Sequence, residues 1–460
     1  MKIELSNTLK NVPENVFYPI FKLISEESSS NIPLLNAGIG VPDSDTPELL
    51  LETLEKAIRK PENMRYGAFD GKETLLSEIS IWLKETYGID ADPKDEIALV
   101  FGTKSGLSSV PSVLLNKDDT VLLPVPSYPD YIQGIALAQA NYEEIQLKEE
   151  NNYLVDYSSI PNNLVEKGKL IFLNYPSNPI GAVATKEFYE ETVSWAKENS
   201  VIVVQDHAYS DFYYNEGSSP CFISTPGAKD VGIEFFSFSK NFSISGLRIG
   251  FAVGNKEIIE GLRVYNSIFH ANIYGAIQDT VVTALKNHKQ LTSNIKDTFK
   301  NRIEKITNKL DELGYSYFKP EGSIFIWLKV KEGFDSQSFF ELLLKQYRIV
   351  TMPGHVFGSG GGNYVRVSLS LSDTQIDTLL AKLEQLNKDL EKQKESSLEE
   401  ISFNDDSFIY DFGIWIFCPT VKLLLFMLFA CFILSIPLCA FPSPYALEAI
   451  VNNVSPVFTT

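Results

Sequence analysis

Short apolar runs alternate with segments of helical spacing through the middle of the chain. The runs are rich in β-branched and aromatic residues, and they end in small or polar residues, which is typical of buried strands. We predict strands at residues 97–101, 120–123, 169–173, 201–204 and 233–236. Strands that alternate with helices indicate an α/β fold with a mostly parallel central sheet, covered on both faces.

The remaining periodic segments predict further helices and a second, smaller α/β domain. Apolar residues have helical spacing over residues 73–87, over residues 279–313, with or without a break, and over residues 374–392. The expected boundaries are 1–35 for an N-terminal arm that belongs to the small domain, 36–285 for the large domain and 286–390 for the small domain.

Polar side chains follow each predicted strand of the large domain. In a parallel sheet, ligands bind outside the carboxyl ends of the strands, so these positions are candidates for a site. Core packing alone does not explain polar groups after five strands in succession. The segments are residues 102–106, 126–131, 174–179, 206–209 and 237–240.

The segment 237–250 carries the most specific chemistry, because a lysine follows an apolar run directly. Burial lowers the pKa of a lysine, and a neutral amine can attack an aldehyde to form a Schiff base. The hydroxyls of Ser237 and Ser239 and the guanidinium of Arg248 suit a phosphate monoester. An amine next to a group of side chains that can bind a phosphate indicates a binding site for pyridoxal 5′-phosphate. The alternative is that Lys240 is a buried lysine paired to a carboxylate.

Composition narrows the possible partners and the compartment. The chain has 460 residues and a formal net charge of −19, which argues against binding to nucleic acid. Of its 4 cysteines, only Cys221 lies in the part that reads as globular, so a reducing compartment is expected. We find no CxxC motif or histidine cluster and therefore expect no metal site.

Seven motifs, in their order and spacing, resemble those of the class I, fold type I aminotransferases that depend on pyridoxal phosphate. Within that group the layout is most similar to the LL-diaminopimelate aminotransferase branch, and the resemblance covers residues 10–390. The motifs are residues 66–67, 102–104, 126–129, 174–181, 206–209, 237–250 and 364–366.

The resemblance implies a role for each residue around the cofactor ring. Lys240 would bond to the cofactor and act as the general base of the proton shift. Asp206 would keep the ring nitrogen protonated; a helix N-cap is the alternative. Asn178 and Tyr209 would donate hydrogen bonds to the ring hydroxyl oxygen. Tyr128 would stack on the ring. Tyr131 is the alternative for this role, and if it does not stack it is a core residue.

The resemblance also implies a phosphate cradle, a substrate anchor and a homodimer. The cradle would comprise Thr103, Lys104, Ser237, Ser239 and Arg248. Arg366 would bind the substrate α-carboxylate, with Gly40 and Asn178 beside it, unless it is a surface charge. Lys104 would face an acidic or extended substrate, or else solvent. Tyr66 would reach the phosphate of the neighbouring subunit.

These roles imply an enzyme that moves an amino group between an amino acid and a 2-oxo acid by a ping-pong mechanism. LL-diaminopimelate or a related amino acid is the expected substrate, in amino-acid biosynthesis. Diaminopimelate-specific relatives carry a substrate-facing tyrosine near the start, and residues 15–17 contain none. A lyase or decarboxylase on the same scaffold, or a non-catalytic regulatory protein, remains an alternative.

The C-terminal residues lie outside the resemblance. Residues 391–411 are polar and read as a linker, and residues 412–447 form a hydrophobic segment. Residues 423–441 contain no charge over 19 positions, close to the length that spans a bilayer as a helix. We expect a single membrane anchor with a cytoplasmic catalytic domain; a non-native tail is the alternative.

Overall fold

The structure is a computed structural model that describes residues 3–29 and 32–400, with side chains as far as residue 393. The strands are β1 (Leu35–Asn36), β2 (Ile97–Val100), β3 (Thr120–Val125), β4 (Asn141–Gln146), β5 (Gly168–Asn174), β6 (Ile202–His207), β7 (Gly232–Ser237), β8 (Gly250–Gly254), β9 (Tyr317–Phe318), β10 (Phe325–Lys329), β11 (Ile349–Val350), β12 (Met352–Pro353) and β13 (Tyr364–Ser368).

The helices lie between these strands and at the two ends of the described chain. They are α1 (Asn7–Asn11), α2 (Tyr18–Ser28), α3 (Glu48–Ile58), α4 (Glu73–Tyr87), α5 (Thr103–Leu114), α6 (Asp130–Leu137), α7 (Asn162–Val165), α8 (Lys186–Asn199), α9 (Ala228–Val231), α10 (Phe238–Asn241), α11 (Lys256–Phe269), α12 (Gly275–Lys286), α13 (His288–Glu312), α14 (Ser336–Tyr347) and α15 (Asp373–Glu400).

The central sheet has seven strands in the order β2-β8-β7-β6-β5-β3-β4. Neighbouring strands from β7 to β4 pair in parallel, whereas β8 is antiparallel to both of its neighbours. This confirms the prediction of an α/β fold with a mostly parallel central sheet. Most side chains of the inner strands are fully buried, because helices cover both faces of such a sheet.

Each strand predicted in the central sheet is present, and two further strands, β4 and β8, were not predicted. The edge strand β4 exposes most of its side chains and carries Glu143 and Glu144, so it lacks an apolar run. The strand β8 is short and begins and ends in glycine, which weakens its sequence signal. The predicted helix over residues 279–313 divides at Asn287 into α12 and α13.

A second sheet is antiparallel, with the strand order β12-β13-β10-β9. Next to it in sequence, β11 pairs in parallel with β1, which ties residues 35–36 to the C-terminal part of the chain. The backbone N–H of Ser368, at the end of β13, donates to the carbonyl of Ala37 at 2.7 Å. The residues after β1 are thus anchored on strands far away in the sequence. The domain boundaries at residues 285 and 390 stay a prediction.

The hydrophobic segment 412–447 and all of the predicted linker beyond residue 400 lie outside the described residues. Among the described residues, none of the helices combines the length and the apolar character that crossing a bilayer demands.

Candidate active site

A cavity of about 420 Å³ lies where β5, β6 and β7 end, at Asn174, Asp206 and Ser237. The pairing of β5 with β6 places Asn174 directly opposite Asp206. Of the site residues that the sequence predicts, all except Tyr66 line this cavity. They are Gly40, Thr103, Lys104, Tyr128, Asn178, Asp206, Tyr209, Ser237, Ser239, Lys240, Arg248 and Arg366.

Lys240 lies in the short helix α10, directly after β7. Its Nζ donates a hydrogen bond of 2.7 Å to the carbonyl oxygen of Gly40. Burial lowers the pKa of Lys240 to about 8, and the positive charges of Arg366 and Arg248 act in the same direction. A minority of the molecules therefore carry the neutral amine that a nucleophile requires near physiological pH, a far larger share than for an ordinary lysine with its pKa of 10.5.

Asp206 lies in β6, and its side chain faces the cavity with 5% of the residue exposed. Its Oδ2 accepts from the hydroxyl of Tyr131 at 2.8 Å, and its Oδ1 accepts from the backbone N–H of Ala208 at 3.1 Å. Burial raises the pKa of the Asp206 carboxyl to about 6, against the lowering effect of these hydrogen bonds. The carboxyl is thus mostly ionised at neutral pH and can face a positively charged ring nitrogen.

Tyr131 contributes a hydrogen bond that sequence reasoning missed. Its ring lies parallel to that of Phe172, with 4.7 Å between centroids, and this packing directs its hydroxyl at Asp206. Sequence reasoning treated Tyr131 as a stacking rival of Tyr128 or as a core residue. Its only sequence signal was its place in the polar segment after β3.

An anion cradle lies at the start of α5. Arg248 adopts a left-handed backbone conformation with φ of 52°, and its Nη1 donates to the carbonyl of Ser245 at 2.8 Å. A Cβ on Gly102, which precedes α5, would lie 2.5 Å from Nη2 of Arg248. Glycine therefore lets the guanidinium lie against the N-terminus of the helix. With the hydroxyls of Ser237 and Ser239, this cradle fits a phosphate monoester.

Arg366 is inside the protein, with 5% of the residue exposed, so it is not a surface charge. Its Nη1 donates to Oδ1 of Asn178 and its Nη2 to the carbonyl of Gly38, each at 2.7 Å. Its guanidinium carbon lies 4.2 Å from the ring centroid of Phe325, while its buried Nε has no hydrogen-bond partner among the described residues. Burial lowers the pKa of Arg366 to about 10, so it stays charged at neutral pH.

Gly40 permits close packing beside Arg366 and Tyr209. A Cβ at this position would lie 2.6 Å from Cζ of Phe325 and 3.6 Å from the hydroxyl of Tyr209. Any larger residue would therefore displace the ring of Phe325 or move the backbone. The carbonyl of Gly40 would then leave its hydrogen bond to Lys240.

Lys104 pairs with Asp130, a residue that the sequence analysis did not select. The Nζ of Lys104 lies 2.7 Å from Oδ2 of Asp130, although 48% of the lysine side chain is exposed. The hydroxyl of Tyr128 also donates to Asp130, as does the side-chain amide of Asn15 at 3.2 Å. The lysine is thus neither a free solvated charge nor an unpaired group that faces the substrate.

Five of the apolar side chains that line the cavity come from the N-terminal arm, the residues after β1 and the strand β12, and we call this set the apolar wall. Its members are Phe17, Phe21, Ile39, Val41 and Met352. The rings of Phe17 and Phe21, one turn apart at the start of α2, have centroids 6.1 Å apart. Half of Phe21 is exposed, as is 47% of Ile39. Sequence reasoning had no basis for this wall, because the arm and β12 come together only in the folded chain.

Tyr66 does not line the cavity and is 90% exposed. In a single chain it is therefore not part of the site. This position is compatible with the expected role of Tyr66 in a neighbouring subunit.

One buried group among the described residues has ligand atoms close enough to hold a metal ion: His207, Cys221 and Glu234. The thiol of Cys221 donates to Oε2 of Glu234 at 2.8 Å, and the backbone N–H of Ile223 donates to the same oxygen at 2.9 Å. Nδ1 of His207 lies 2.8 Å from the other oxygen, Oε1. Burial raises the pKa of the Cys221 thiol. All three residues are buried in the core, and none of them lines the cavity.

Residues 32–383 match the family described as aminotransferase class I and II. The chain belongs to this family. This aminotransferase accordingly uses pyridoxal 5′-phosphate to move amino groups, and its cavity offers the amine, the carboxylate and the anion cradle that the cofactor requires.

Several similar proteins align with this chain over nearly their whole length. The L-glutamine–4-(methylsulfanyl)-2-oxobutanoate aminotransferase of Bacillus subtilis is 37% identical over 398 residues, which is 86% of this chain and 100% of that protein. The LL-diaminopimelate aminotransferase of Aquifex aeolicus is 37% identical over 368 residues, covering 80% and 95%. The substrate-bound structure of BacF from Bacillus subtilis has 35% identity and a TM-score of 0.80, covering 84% and 98%.

Proposed function

We propose that Lys240 is the residue that bonds to pyridoxal phosphate in this aminotransferase, and that the substrate is an amino acid with an apolar side chain. The observation that carries the first part is geometric. The amine of Lys240 and the carboxylate of Asp206 line one cavity, with the anion cradle of Arg248 beside them. The apolar wall carries the second part.

The residues present fit each part of the cofactor. The N-terminus of α5 at Thr103 and Lys104, the hydroxyls of Ser237 and Ser239, and the guanidinium of Arg248 would hold the phosphate. Asp206, oriented by Tyr131, would hold a proton on the ring nitrogen.

The ring hydroxyl and the ring face have their own candidate partners. Asn178 and Tyr209 would hydrogen-bond the ring hydroxyl oxygen, and Tyr128 would pack on the ring face. When bound, the cofactor supplies a sink for the electrons left on the substrate carbon after its proton departs.

The protein's own groups would then bind the substrate and move the proton. Arg366 would hold the α-carboxylate, since its guanidinium is already oriented by Asn178 and Gly38, and these two bonds use only two of its five N–H groups. Once the substrate amine had replaced it on the cofactor, the Nζ of Lys240 would be free to accept the proton from the substrate α-carbon and to give it to the cofactor carbon that bears the amino group. Gly40 accepts the hydrogen bond of Lys240. It also packs against the ring of Phe325, over which the guanidinium of Arg366 lies.

The lowered pKa of Lys240 leads to a pH prediction. Only the neutral amine attacks an aldehyde, and the neutral fraction rises as the pH passes the pKa. We therefore expect the rate at which cofactor-free protein captures pyridoxal phosphate to rise with pH and to reach half of its maximum at about pH 8. Stopped-flow absorbance over a pH series measures this rate. A midpoint near 10.5, the ordinary value for lysine, would contradict the account.

The apolar wall and the Lys104–Asp130 pair favour an apolar substrate side chain. Phe17, Phe21 and Met352 offer no hydrogen bond to a charged distal group. The positive charge of Lys104 is balanced by Asp130. The 2-oxo acid in the name of the Bacillus subtilis relative carries a thioether, which is apolar.

Diaminopimelate is the second candidate, because several relatives bear that name and its distal end carries both charges. The Lys104–Asp130 pair offers one group of each sign. Binding the distal end would, however, require this ion pair to open.

Truncation of the apolar wall tests the substrate class. We expect Phe21→Ala to lower kcat/KM roughly fivefold for a leucine- or methionine-like donor, because the side chain loses an apolar contact, and to leave alanine nearly unchanged. Tyr18→Ala is the matched control, since Tyr18 lies on the same helix, is 64% exposed and does not line the cavity. Faster turnover of diaminopimelate than of any apolar donor would overturn the apolar assignment.

We propose that the enzyme is a homodimer in which Tyr66 reaches the partner's phosphate site. Exposed apolar side chains in residues 64–69 and on α11 support this proposal: Met64, Tyr66, Phe69, Val264, Ile268 and Phe269. The hydroxyl of Tyr274 contacts the sulfur of Met64, so the segment around Tyr66 lies near the chain that leaves α11. Exposed apolar side chains that are grouped in this way are typical of protein interfaces.

A further inference from the structure

Residues 37–44, which we call the carbonyl segment, accept hydrogen bonds from two cationic side chains of the cavity, Arg366 and Lys240. The segment follows β1 and has no regular secondary structure, so its carbonyl groups are free of ladder hydrogen bonds beyond Ala37. The carbonyl of Gly38 accepts from Arg366, and the carbonyl of Gly40 accepts from Lys240, each at 2.7 Å. The position of this backbone thus fixes where both side chains point.

The two ends of the carbonyl segment are held by different contacts. At the Gly38 end, the N–H of Ala37 donates to the carbonyl of Val350 at 2.9 Å, and Ser368 donates to the carbonyl of Ala37 at 2.7 Å. These backbone bonds belong to the strands and do not depend on any side chain of the segment. Gly38, and with it Arg366, is therefore anchored independently.

The Gly40 end depends on an ion pair between Asp43 and Arg302. The two carboxylate oxygens of Asp43 accept from Nη1 and Nη2 of Arg302 at 2.6 Å and 2.9 Å. The arginine side chain is 10% exposed, and its Nη1 also donates to the carbonyl of Leu369 at 3.2 Å. A fork of this kind fixes direction as well as distance, which a single point charge does not.

The residues just beyond Asp43 attach the same end to the loop after Lys240. Thr46 donates through its hydroxyl to the carbonyl of Ser243 at 2.6 Å, and the hydroxyls of Ser44 and Ser243 lie 2.8 Å apart. The segment is therefore held between helix α13, through Arg302, and the loop that follows α10, through Ser243.

We propose that Asp43 and Arg302 are positioning residues for the Lys240 amine and that they act through the carbonyl of Gly40. This inference rests on the proposed role of Lys240. The carbonyl accepts one N–H of the free amine and so sets the direction of its lone pair. Without the ion pair the carbonyl would shift, and the amine would spend less time aligned with the atom it attacks or deprotonates.

Two substitutions test this role: Asp43→Asn and Arg302→Gln. Each is expected to lower kcat about tenfold and to change KM less than threefold, because Gly38 and Arg366 keep their own anchor. The rate at which the cofactor-free protein captures pyridoxal phosphate should fall by a similar factor. The double variant should be little worse than Arg302→Gln alone, since Asp43→Asn removes only the contact that the two residues share, whereas Arg302→Gln also removes the bond to Leu369. Arg302→Lys, which keeps the charge, should recover part of the loss.

Glu96→Gln is the matched control for loss of a partly buried ion pair. Glu96 lies 2.6 Å from Lys229, its side chain is 14% exposed, and neither residue lines the cavity. We expect this variant to lower Tm as much as Asp43→Asn and to leave kcat and the capture rate unchanged. If Asp43→Asn and Arg302→Gln alter only Tm, or raise KM as much as they lower kcat, the proposal is wrong.

The role of Lys240 itself is tested separately with Lys240→Ala, so the two failures can be told apart. Covalent capture that survives in Lys240→Ala would overturn the proposed function. Capture that is lost in Lys240→Ala but normal in Asp43→Asn would overturn only the positioning role.

Discussion

Lys240→Ala is expected to lower kcat for transamination by at least about a thousandfold, because one side chain supplies both the covalent attachment and the general base. Among the residues that the structure describes, no other amine is placed to replace it. Lys104, the other lysine that lines the cavity, is tied to Asp130 at 2.7 Å. Steady-state assays with an apolar donor and 2-oxoglutarate measure the loss, and absorbance spectra report whether the cofactor is still covalently attached.

Two further variants make this experiment decisive. Lys240→Arg keeps a positive charge that does not titrate near neutral pH, so it should be as inactive as Lys240→Ala. Lys104→Ala removes the second lysine of the cavity and its ion pair with Asp130, and it should retain the covalent attachment. An active Lys240→Ala enzyme, or a Lys104→Ala enzyme that has lost the attachment, would contradict the assignment.

Asp206→Asn has the second largest expected effect, a fall in kcat of about a hundredfold or more. The amide has the same shape as the carboxyl but no charge, so it cannot hold a proton on the ring nitrogen. The carboxyl pKa of about 6 means that the native side chain is mostly ionised at pH 7. Turnover at saturating substrate gives the size of the effect.

The comparison variants separate charge from packing at this position. Asp206→Glu keeps the charge and should retain more activity than Asp206→Asn. Tyr131→Phe removes the 2.8 Å hydrogen bond to Asp206 but keeps the ring on Phe172, so we expect a loss of only a few fold. If Asp206→Asn has the kcat of the native enzyme, the carboxylate has no role in the mechanism.

The sequence predicted the inner strands β3, β5, β6 and β7 and the edge strand β2 because continuous apolar runs encode burial on both faces. It missed the inner strand β8, which begins and ends in glycine, and the edge strand β4, which carries exposed glutamates. Arg366 shows where the assumption that side chains along a strand alternate between the core and the solvent fails. Its neighbours Val365 and Val367 suggested that it could point outward, yet all three side chains are buried, because both faces of β13 are covered.

The cofactor side of the cavity could be predicted because its residues occur as local motifs at strand ends. The contacts that orient them could not, since they join positions distant in the chain. Asp43 and Arg302 are 259 residues apart, and Asn15 and Asp130 are 115 apart. Each is an ordinary polar residue in its own segment. Only the folded chain brings the members of each pair together.

Peptide mapping of the reduced holoenzyme tests the central claim most directly. Borohydride converts the covalent link between the cofactor and a lysine into a stable secondary amine, and mass spectrometry of the proteolytic peptides then locates it. The account predicts a single modified peptide, with the added mass on Lys240. Modification of Lys104 or of any other lysine instead, or no modified peptide from protein that binds the cofactor, would contradict it.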